Sequence, residues 1–369
     1  MNKKRTKVAV GAALLLASLL ATGMLSTALG VSASSSGRQV NLPAPQVRNF
    51  TLYVRPNVLK MPDGKNINVF GYSKDPKGLA TIPGPTLIVN QGDTVNVTLV
   101  NDRDPTKTKY NSTGAGHTIH LHGLDLPSQY DGDPMTAPGG LPVLQGHRYT
   151  YHFVARYSGT YWYHCHMSAA EHIQMGMYGA LTIRPRGEPN RAYPNTPAFD
   201  KEYTLVLSDM DSVAHQVDWA NLYSGGPTFN WTNYHANYFL INGKAFPETL
   251  MDPNTNIVGT VGQTVLVRLI NAGYIVHAMH SHGFHFLVIG ADGRRLDSPY
   301  YKDTLEVAPG ERYEILFVFD KPGRYMFHDH FEQNTTNNGY YPGGMITMIN
   351  VNNPDGSNPV PMSQVMTGM

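Results

Sequence analysis

The chain has 369 residues and a formal net charge of +1, with 36 glycines, 26 prolines, 16 histidines and one cysteine. Because the charges nearly balance and form no basic or acidic run, nothing indicates nucleic acid or an anionic membrane surface as a partner. The glycines and prolines favour turns over long helices and indicate an all-β fold. Histidine is the compositional outlier.

The N-terminus has the pattern of a secretory leader. Residues 1–7 are basic, residues 8–21 are almost wholly apolar, and Val31, Ser32 and Ala33 form a small-residue cleavage pattern. We therefore predict a signal peptide at 1–33 and a secreted or periplasmic protein; the alternative is a leader retained as a membrane anchor. A lone cysteine in an exported chain cannot form an internal disulfide, so Cys165 needs protection by burial or by a metal.

Short alternating segments separated by Pro/Gly turns predict two β-sandwich domains, at residues 45–187 and 203–351. Between them, a stretch with three prolines and no periodicity predicts a linker. An insertion at 208–239 contains two tryptophans and several tyrosines, and packing, a lid or a subunit contact would each explain it.

The stretch YWYHCHMSAAEHIQMGM at 161–177 places the only cysteine between two histidines. Its aromatic start predicts a β-strand that ends near Cys165. Side chains at i and i+2 share one face of a strand, so His164 and His166 should point one way and Cys165 the other. One strand end can thus serve two metal centres.

The first predicted centre combines Cys165, His172 and Met177 with His117, which opens the run HTIHLH. Two imidazoles, a thiolate and a weak thioether are the ligands of a blue copper site. Met175 is the main competitor of Met177 for the axial position. A single His-x-His pair is ordinarily satisfied by hydrogen bonds, but here such pairs recur.

The second half of the chain repeats the first. The segment GDTVNVTLVN at 92–101 recurs as GQTVLVRLIN at 262–271. Asp329 stands where the first half has Cys165, and no histidine follows it at the required place. We therefore predict that the second domain has no blue copper site and that His277 and Asp329 are remnants of one. The paired histidines of the two halves are His120, His122, His164 and His166, and His280, His282, His328 and His330.

Four His-x-His pairs, one enclosing a cysteine, resemble the multicopper oxidases, and the two-repeat length resembles their two-domain branch. The resemblance covers nearly all of residues 45–350. It implies two cupredoxin Greek-key sandwiches and about four copper ions per chain: one type 1, one type 2 and two type 3. It also implies a homotrimer in which those eight histidines hold trinuclear clusters at the subunit boundaries.

The implied activity couples one-electron oxidation of a phenol, an aromatic amine or a metal ion to the four-electron reduction of dioxygen to water. The family motif, here HLHGLDLPSQYDG, implies Asp131 as a general acid, although a turn residue before Gly132 is the alternative. No cofactor other than copper is implied.

Two other functions remain open. A copper nitrite reductase shares the two-domain trimer, but the resemblance implies an aspartate at the place of His120 and a non-ligand at the place of His166. A copper-storage protein would explain the histidines but not a thiolate joined to two of them. The segment 352–369 predicts a flexible tail, and its Met362, Met366 and Met369 suggest cuprous-ion handling as a further alternative.

Overall fold

The structure, a computed structural model, describes residues 42–102, 116–135, 141–224 and 228–359, except the side chains at 221–224. The predicted leader at 1–33 and the three C-terminal methionines lie outside these residues. Within the described part of the chain, no helix has both the length and the apolar character needed to cross a membrane.

The first half of the described chain is a β-sandwich. Two four-stranded sheets have the strand orders β2-β1-β4-β6 and β3-β8-β7-β5. A short helix, α1 (Ala169–His172), lies between the last two strands. The strands are β1 (Val47–Lys60), β2 (Asn66–Ser73), β3 (Gly84–Asn90), β4 (Thr94–Asn101), β5 (His120–His122), β6 (His147–Val154), β7 (Gly159–His164) and β8 (Tyr178–Arg184).

The second half forms another sandwich, from a six-stranded and a five-stranded sheet with the orders β10-β9-β12-β17-β14-β15 and β11-β19-β18-β13-β16. Helix α2 (Ser212–Ser224) follows its first strand. Its strands are β9 (Lys201–Met210), β10 (Tyr238–Ile241), β11 (Ile257–Thr260), β12 (Thr264–Asn271), β13 (His277–Ser281), β14 (Phe286–Ala291), β15 (Arg294–Lys302), β16 (Thr304–Val307), β17 (Arg312–Val318), β18 (Gly323–Asp329) and β19 (Ile346–Asn352). Single 3-10 turns lie at Ser128–Tyr130, Trp231–Asn233, Glu248–Leu250 and Glu332–Thr335.

Alternation along the strands produces each core. In β4, Val95, Val97 and Leu99 are fully buried at every second position, because the i and i+2 side chains of a strand share a face. Similar alternation in the facing sheets encloses one apolar core in each half. The prediction of an all-β chain with two sandwiches is confirmed.

The internal repeat is visible in the strand pairing. Strand β1 lies parallel to β4 in the first half, and β9 lies parallel to β12 in the second. A third apolar cluster contains side chains from both halves, including Trp162, Tyr178, Val206 and Ile270, and packs the sandwiches together.

Helix α2 departs from the turn-rich character that the composition favoured. It has 13 residues and lies within the 208–239 insertion. The His215 ring nitrogen Nδ1 lies 2.9 Å from the carbonyl oxygen of Asn68 in β2, so the helix is tied to the first sandwich.

Candidate metal centres

The end of β7 presents side chains to two different places. Strands β5 and β7 pair antiparallel, with His120 opposite His164. The rings of His164 and His166 both contact that of His120, at 5.0 and 5.2 Å between centroids. Cys165 points instead into the first apolar core, where it is fully buried. This is the alternation that the sequence predicted.

The thiol of Cys165 lies between two imidazoles. Its Sγ atom is 3.2 Å from Nδ1 of His172 and 3.9 Å from Nδ1 of His117. The backbone N–H of Thr118 also points to the sulfur, at 3.4 Å. Ser168, in the left-handed conformation, starts α1 and accepts a hydrogen bond from the backbone of His172, which turns that imidazole back toward the strand end.

Burial favours the neutral form of each of these three side chains. It lowers the pKa of His117 to about 4 and the pKa of His172 well below its usual value. Burial also raises the pKa of Cys165 to about 11. The Nε2 atoms of both imidazoles are buried and have no hydrogen-bond partner among the residues that the structure describes. Two neutral imidazoles around a buried thiol, whose thiolate form needs a cation, fit a soft-donor metal site such as a copper site.

The register of the sheet separates the two candidate axial methionines. His164 pairs with Tyr178, and the next residue, Cys165, donates its backbone N–H to the carbonyl of Met177 at 3.0 Å. Directly opposite residues of an antiparallel pair point to the same face. The backbone carbonyl of Met175 instead accepts from Phe70, so this register favours Met177 as the residue beside the sulfur.

A second group contains the paired histidines of the first half. Ring nitrogens of His120, His122 and His164 lie within 4.8 Å of one another. Nδ1 of His120 lies 2.7 Å from the carbonyl of Asp131, and Nδ1 of His164 lies 3.1 Å from that of Cys165. These contacts hold both rings through Nδ1, and Nε2 of His164 faces Nδ1 of His122 at 3.3 Å, so ring nitrogens converge inside the group.

The second group is also partly desolvated. Burial, with the charges of Arg312 and neighbouring histidines, lowers the pKa of His122 to about 3, and burial lowers that of His164 well below its usual value. Trp162 contributes by packing its ring 4.4 Å from His164 and 4.9 Å from His122. Neutral imidazoles are the form that binds metal.

Two aspartates flank this group. The Oδ2 atom of Asp131 lies 3.4 Å from Nδ1 of His120, and Oδ1 of Asp133 lies 3.4 Å from Nδ1 of His166. Gly132 between them has φ +79°, and an added Cβ there would collide with the carbonyl of Ile119. The tight turn thus depends on Gly132, whereas both carboxylates face histidines. Asp133 was not predicted, although the DGD sequence held the signal.

The paired histidines of the second half form a third group. Their rings contact one another, and Nε2 of His282 lies 3.2 Å from Nε2 of His328. Nδ1 of His328 lies 2.9 Å from the carbonyl of Asp329, and Nδ1 of His280 lies 2.8 Å from the hydroxyl of Thr304. The same arrangement of rings therefore occurs in both halves.

The second and third groups are separate within one chain. In the described ranges, ring contacts join histidines of one half to each other and none joins the two halves. Each half thus presents a four-histidine set, and each set includes rings that are partly exposed.

The second half has an ion-pair network where the first half has its cysteine. Nδ1 of His277 lies 2.7 Å from Asp329, and Nε2 lies 3.2 Å from Asp209. Burial alone would lower the pKa of His277, but the two carboxylates outweigh it and raise the pKa to about 9. A protonated imidazole has no lone pair to offer a metal. The second half therefore has a cationic imidazole at the position where the first half has a candidate metal ligand. Asp209 was not predicted from the sequence.

Two acidic side chains with raised pKa values were also not predicted. Burial, together with the charge of Asp218, raises the pKa of Glu171 to about 7, and burial raises the pKa of Asp218 to about 6. Glu171 directly precedes His172, a predicted ligand, so its sequence position alone placed it near the site. Asp218 comes from α2 and carries no sequence signal.

Comparison with known proteins identifies the relationship. Two family models, both described as multicopper oxidase, match residues 79–188 and 222–353. Laccase-25 of Oryza sativa subsp. japonica is 34% identical over 253 residues, or 66% of this chain and 40% of the relative. The chain thus spans about two fifths of the length of the curated relatives it matches.

Solved structures agree over most of the chain. A multicopper oxidase, mgLAC, is 35% identical, with a TM-score of 0.68 over 86% of this chain and 88% of that one. The blue copper oxidase from Nitrosomonas europaea is 32% identical, with a TM-score of 0.67 over 83% of this chain and 86% of that one. These similarities make the two sandwiches cupredoxin-like and make copper the cofactor. The chain therefore belongs to the multicopper oxidase family.

Proposed function

We propose that this protein couples the one-electron oxidation of a reductant to the four-electron reduction of dioxygen to water. The observation that carries the proposal is the end of β7, where Cys165 faces His117 and His172 while the two adjacent histidines face His120. Copper bound at both places would supply one-electron redox chemistry.

The chain's own residues give the two sites their different chemistry. Cys165, His117, His172 and Met177 would hold the type 1 copper in a dry pocket. The residues bonded directly to Cys165 would hold the cluster, so its main chain forms a short covalent route between the sites. By analogy of position, His120 and His280 would hold type 2 copper, and the other six paired histidines would hold the type 3 pair.

We also propose that the clusters form between subunits. Each half of the chain presents four paired histidines, and within the described part of one chain no ring contact joins the two sets. A head-to-tail contact joining the first set of one subunit to the second set of the next completes every site if it closes as a ring. The family resemblance favours a homotrimer, and the domain division at 45–187 and 203–351 gives each domain one set.

Proton delivery is assigned to Asp131. Its carboxylate lies 3.4 Å from Nδ1 of His120 and is partly open to solvent, so it can exchange protons with water and pass them toward the cluster. The leader at 1–33 supports a place outside the cytoplasm, where a buried Cys165 is protected from oxidation.

Oxygen uptake by the purified, copper-loaded protein tests the proposal. A one-electron donor should be consumed in about a four-to-one ratio to dioxygen, without release of hydrogen peroxide. Nitrite is the matched alternative acceptor under anaerobic conditions. Rapid nitrite reduction without oxygen uptake would replace the proposal by nitrite reductase activity, and absence of both reactions would favour copper storage.

A further inference from the structure

The loop that follows His172 places a polar side chain, Gln174, against the second half of the chain. Gln174 is only 3% exposed. Its amide nitrogen donates to the backbone carbonyl of Asp209 at 3.1 Å and to the hydroxyl of Tyr234 at 3.2 Å. Its amide oxygen accepts from the backbone N–H of Asp211 at 3.0 Å. Three hydrogen bonds to the second half therefore fix one side chain of this loop.

The partners of Gln174 belong to the ion-pair network of His277. Tyr234 donates its hydroxyl to one oxygen of the Asp209 carboxylate. The other oxygen lies 3.2 Å from Nε2 of His277 and accepts from the backbone N–H of Tyr274 at 2.8 Å. Because Asp209 and His277 are buried, these polar contacts lie in a dry interior, where they are electrostatically strong. A chain of hydrogen bonds thus runs from Gln174 to His277.

Tyr274 gives the same network a second contact near the copper ligand. Its backbone N–H is held by Asp209, and its hydroxyl donates to the carbonyls of Ala169 and Ala170, at 3.0 and 2.6 Å. These two alanines begin helix α1, which ends at His172. Groups that contact Asp209 therefore hold the chain both before and after His172.

We infer that Gln174, Tyr234 and Asp209 are positioning residues that hold His172 at the type 1 copper and thereby raise the reduction potential of that copper. This inference rests on the proposed function, because it requires the type 1 site. Cu(II) favours tetragonal geometry, which a trigonal His2Cys set does not provide. A loop held on both sides of His172 resists relaxation toward the geometry that Cu(II) favours, so the oxidised copper is easier to reduce. The second half thus acts on a copper that it does not ligate.

Tyr234→Phe is the direct test, because it removes one hydroxyl and disconnects Gln174 from the Asp209 carboxylate while the ring remains. The copper-loaded variant should keep a blue band with a shifted maximum. Its reduction potential should fall by about 59 mV, which corresponds to a tenfold change in relative affinity for Cu(I) and Cu(II). Gln174→Met removes all three hydrogen bonds at similar volume and should lower the potential further. Because both changes act through one amide, the double variant should match Gln174→Met alone.

Tyr193→Phe is the matched control. Tyr193 also donates its hydroxyl to a buried carboxylate, at 2.7 Å, but that carboxylate is Glu314, whose ion-pair partner is Arg268. This variant should lose stability and keep the wild-type potential and visible band. The same potential and band in all three single variants would overturn the inference, because the contacts of Gln174 would then be only structural. A wild type without a blue band would instead reject the type 1 site and the proposed function with it.

Discussion

The Sγ atom of Cys165 lies 3.2 Å from Nδ1 of His172, at the one strand end whose neighbouring side chains face the histidines of β5. Two requirements of multi-electron chemistry thereby meet at one residue. A soft thiolate site accepts electrons singly, and a histidine-rich site a few bonds away can collect them.

Replacement of Cys165 by Ser should remove the intense visible band and turnover while most of the cluster copper stays bound. A hydroxyl is a poor soft ligand, but the change leaves the adjacent histidines in place. Absorption spectroscopy and metal analysis of the same sample measure both effects. An unchanged visible band would contradict the assignment of the thiolate.

The axial position is tested by paired variants. Met177→Leu should shift the visible spectrum and raise the reduction potential of the type 1 copper, because it removes the weak thioether at nearly constant volume. Met175→Leu is equally buried and should leave both properties nearly unchanged. The reverse result would assign the axial ligand to Met175.

Intersubunit clusters predict complementation between inactive variants. His120→Ala damages the first histidine set and His280→Ala damages the second, so each variant alone should lack cluster activity. When the two chains are co-expressed, random assembly gives about a quarter of subunit boundaries with two intact sets. Oxygen uptake should therefore recover to about that fraction of wild type.

A cluster assembled within one chain gives a different result. Every chain in the mixture would then carry one damaged set, and activity would not recover. Size-exclusion chromatography of the mixture is the control, because both chains must be present in the same oligomer before a lack of recovery has meaning.

The His277 network predicts a specific pH dependence of stability. In the folded protein the pKa of His277 is about 9, above the usual value of 6.5. The stabilisation that the charged His277 gives the folded state is therefore complete below about pH 6.5 and is lost as the pH rises through about 9. This pKa shift corresponds to a contribution on the order of 3 kcal/mol to the free energy of unfolding. His277→Gln should therefore destabilise the protein near pH 6 and much less near pH 10.

Denaturant unfolding at several pH values measures this difference. His152→Gln is the matched control, since His152 is exposed and its Nδ1 lies 2.7 Å from the side-chain oxygen of Asn96. A His277→Gln variant with the same loss of stability at pH 6 and pH 10 would show that packing, and not charge, is responsible.

Asp131→Asn should lower kcat for oxygen reduction by about a hundredfold if its carboxylate supplies protons, and the loss should grow as pH rises and free protons become scarce. Asp133→Asn, which changes the acid beside His166, is the comparison. Equal effects of the two variants would indicate that both acids only position imidazoles, and copper retention measured for each would check that role.

The sequence was sufficient for features that local periodicity determines. Alternation along one strand predicted that Cys165 and His164 face opposite sides, and the repeated segment at 92–101 and 262–271 predicted two sandwiches. It was insufficient for contacts between distant segments. Asp209 lies 3.2 Å from Nε2 of His277 but belongs to another strand, so this pairing has no sequence spacing to reveal it.

The copper content of the purified, copper-loaded protein tests the central assignment without requiring knowledge of the reductant. One type 1 site and one complete trinuclear cluster per chain predict about four copper ions per chain. A value near two would contradict the account, because one blue site and one type 2 copper would leave several paired histidines without a metal and would favour nitrite reduction.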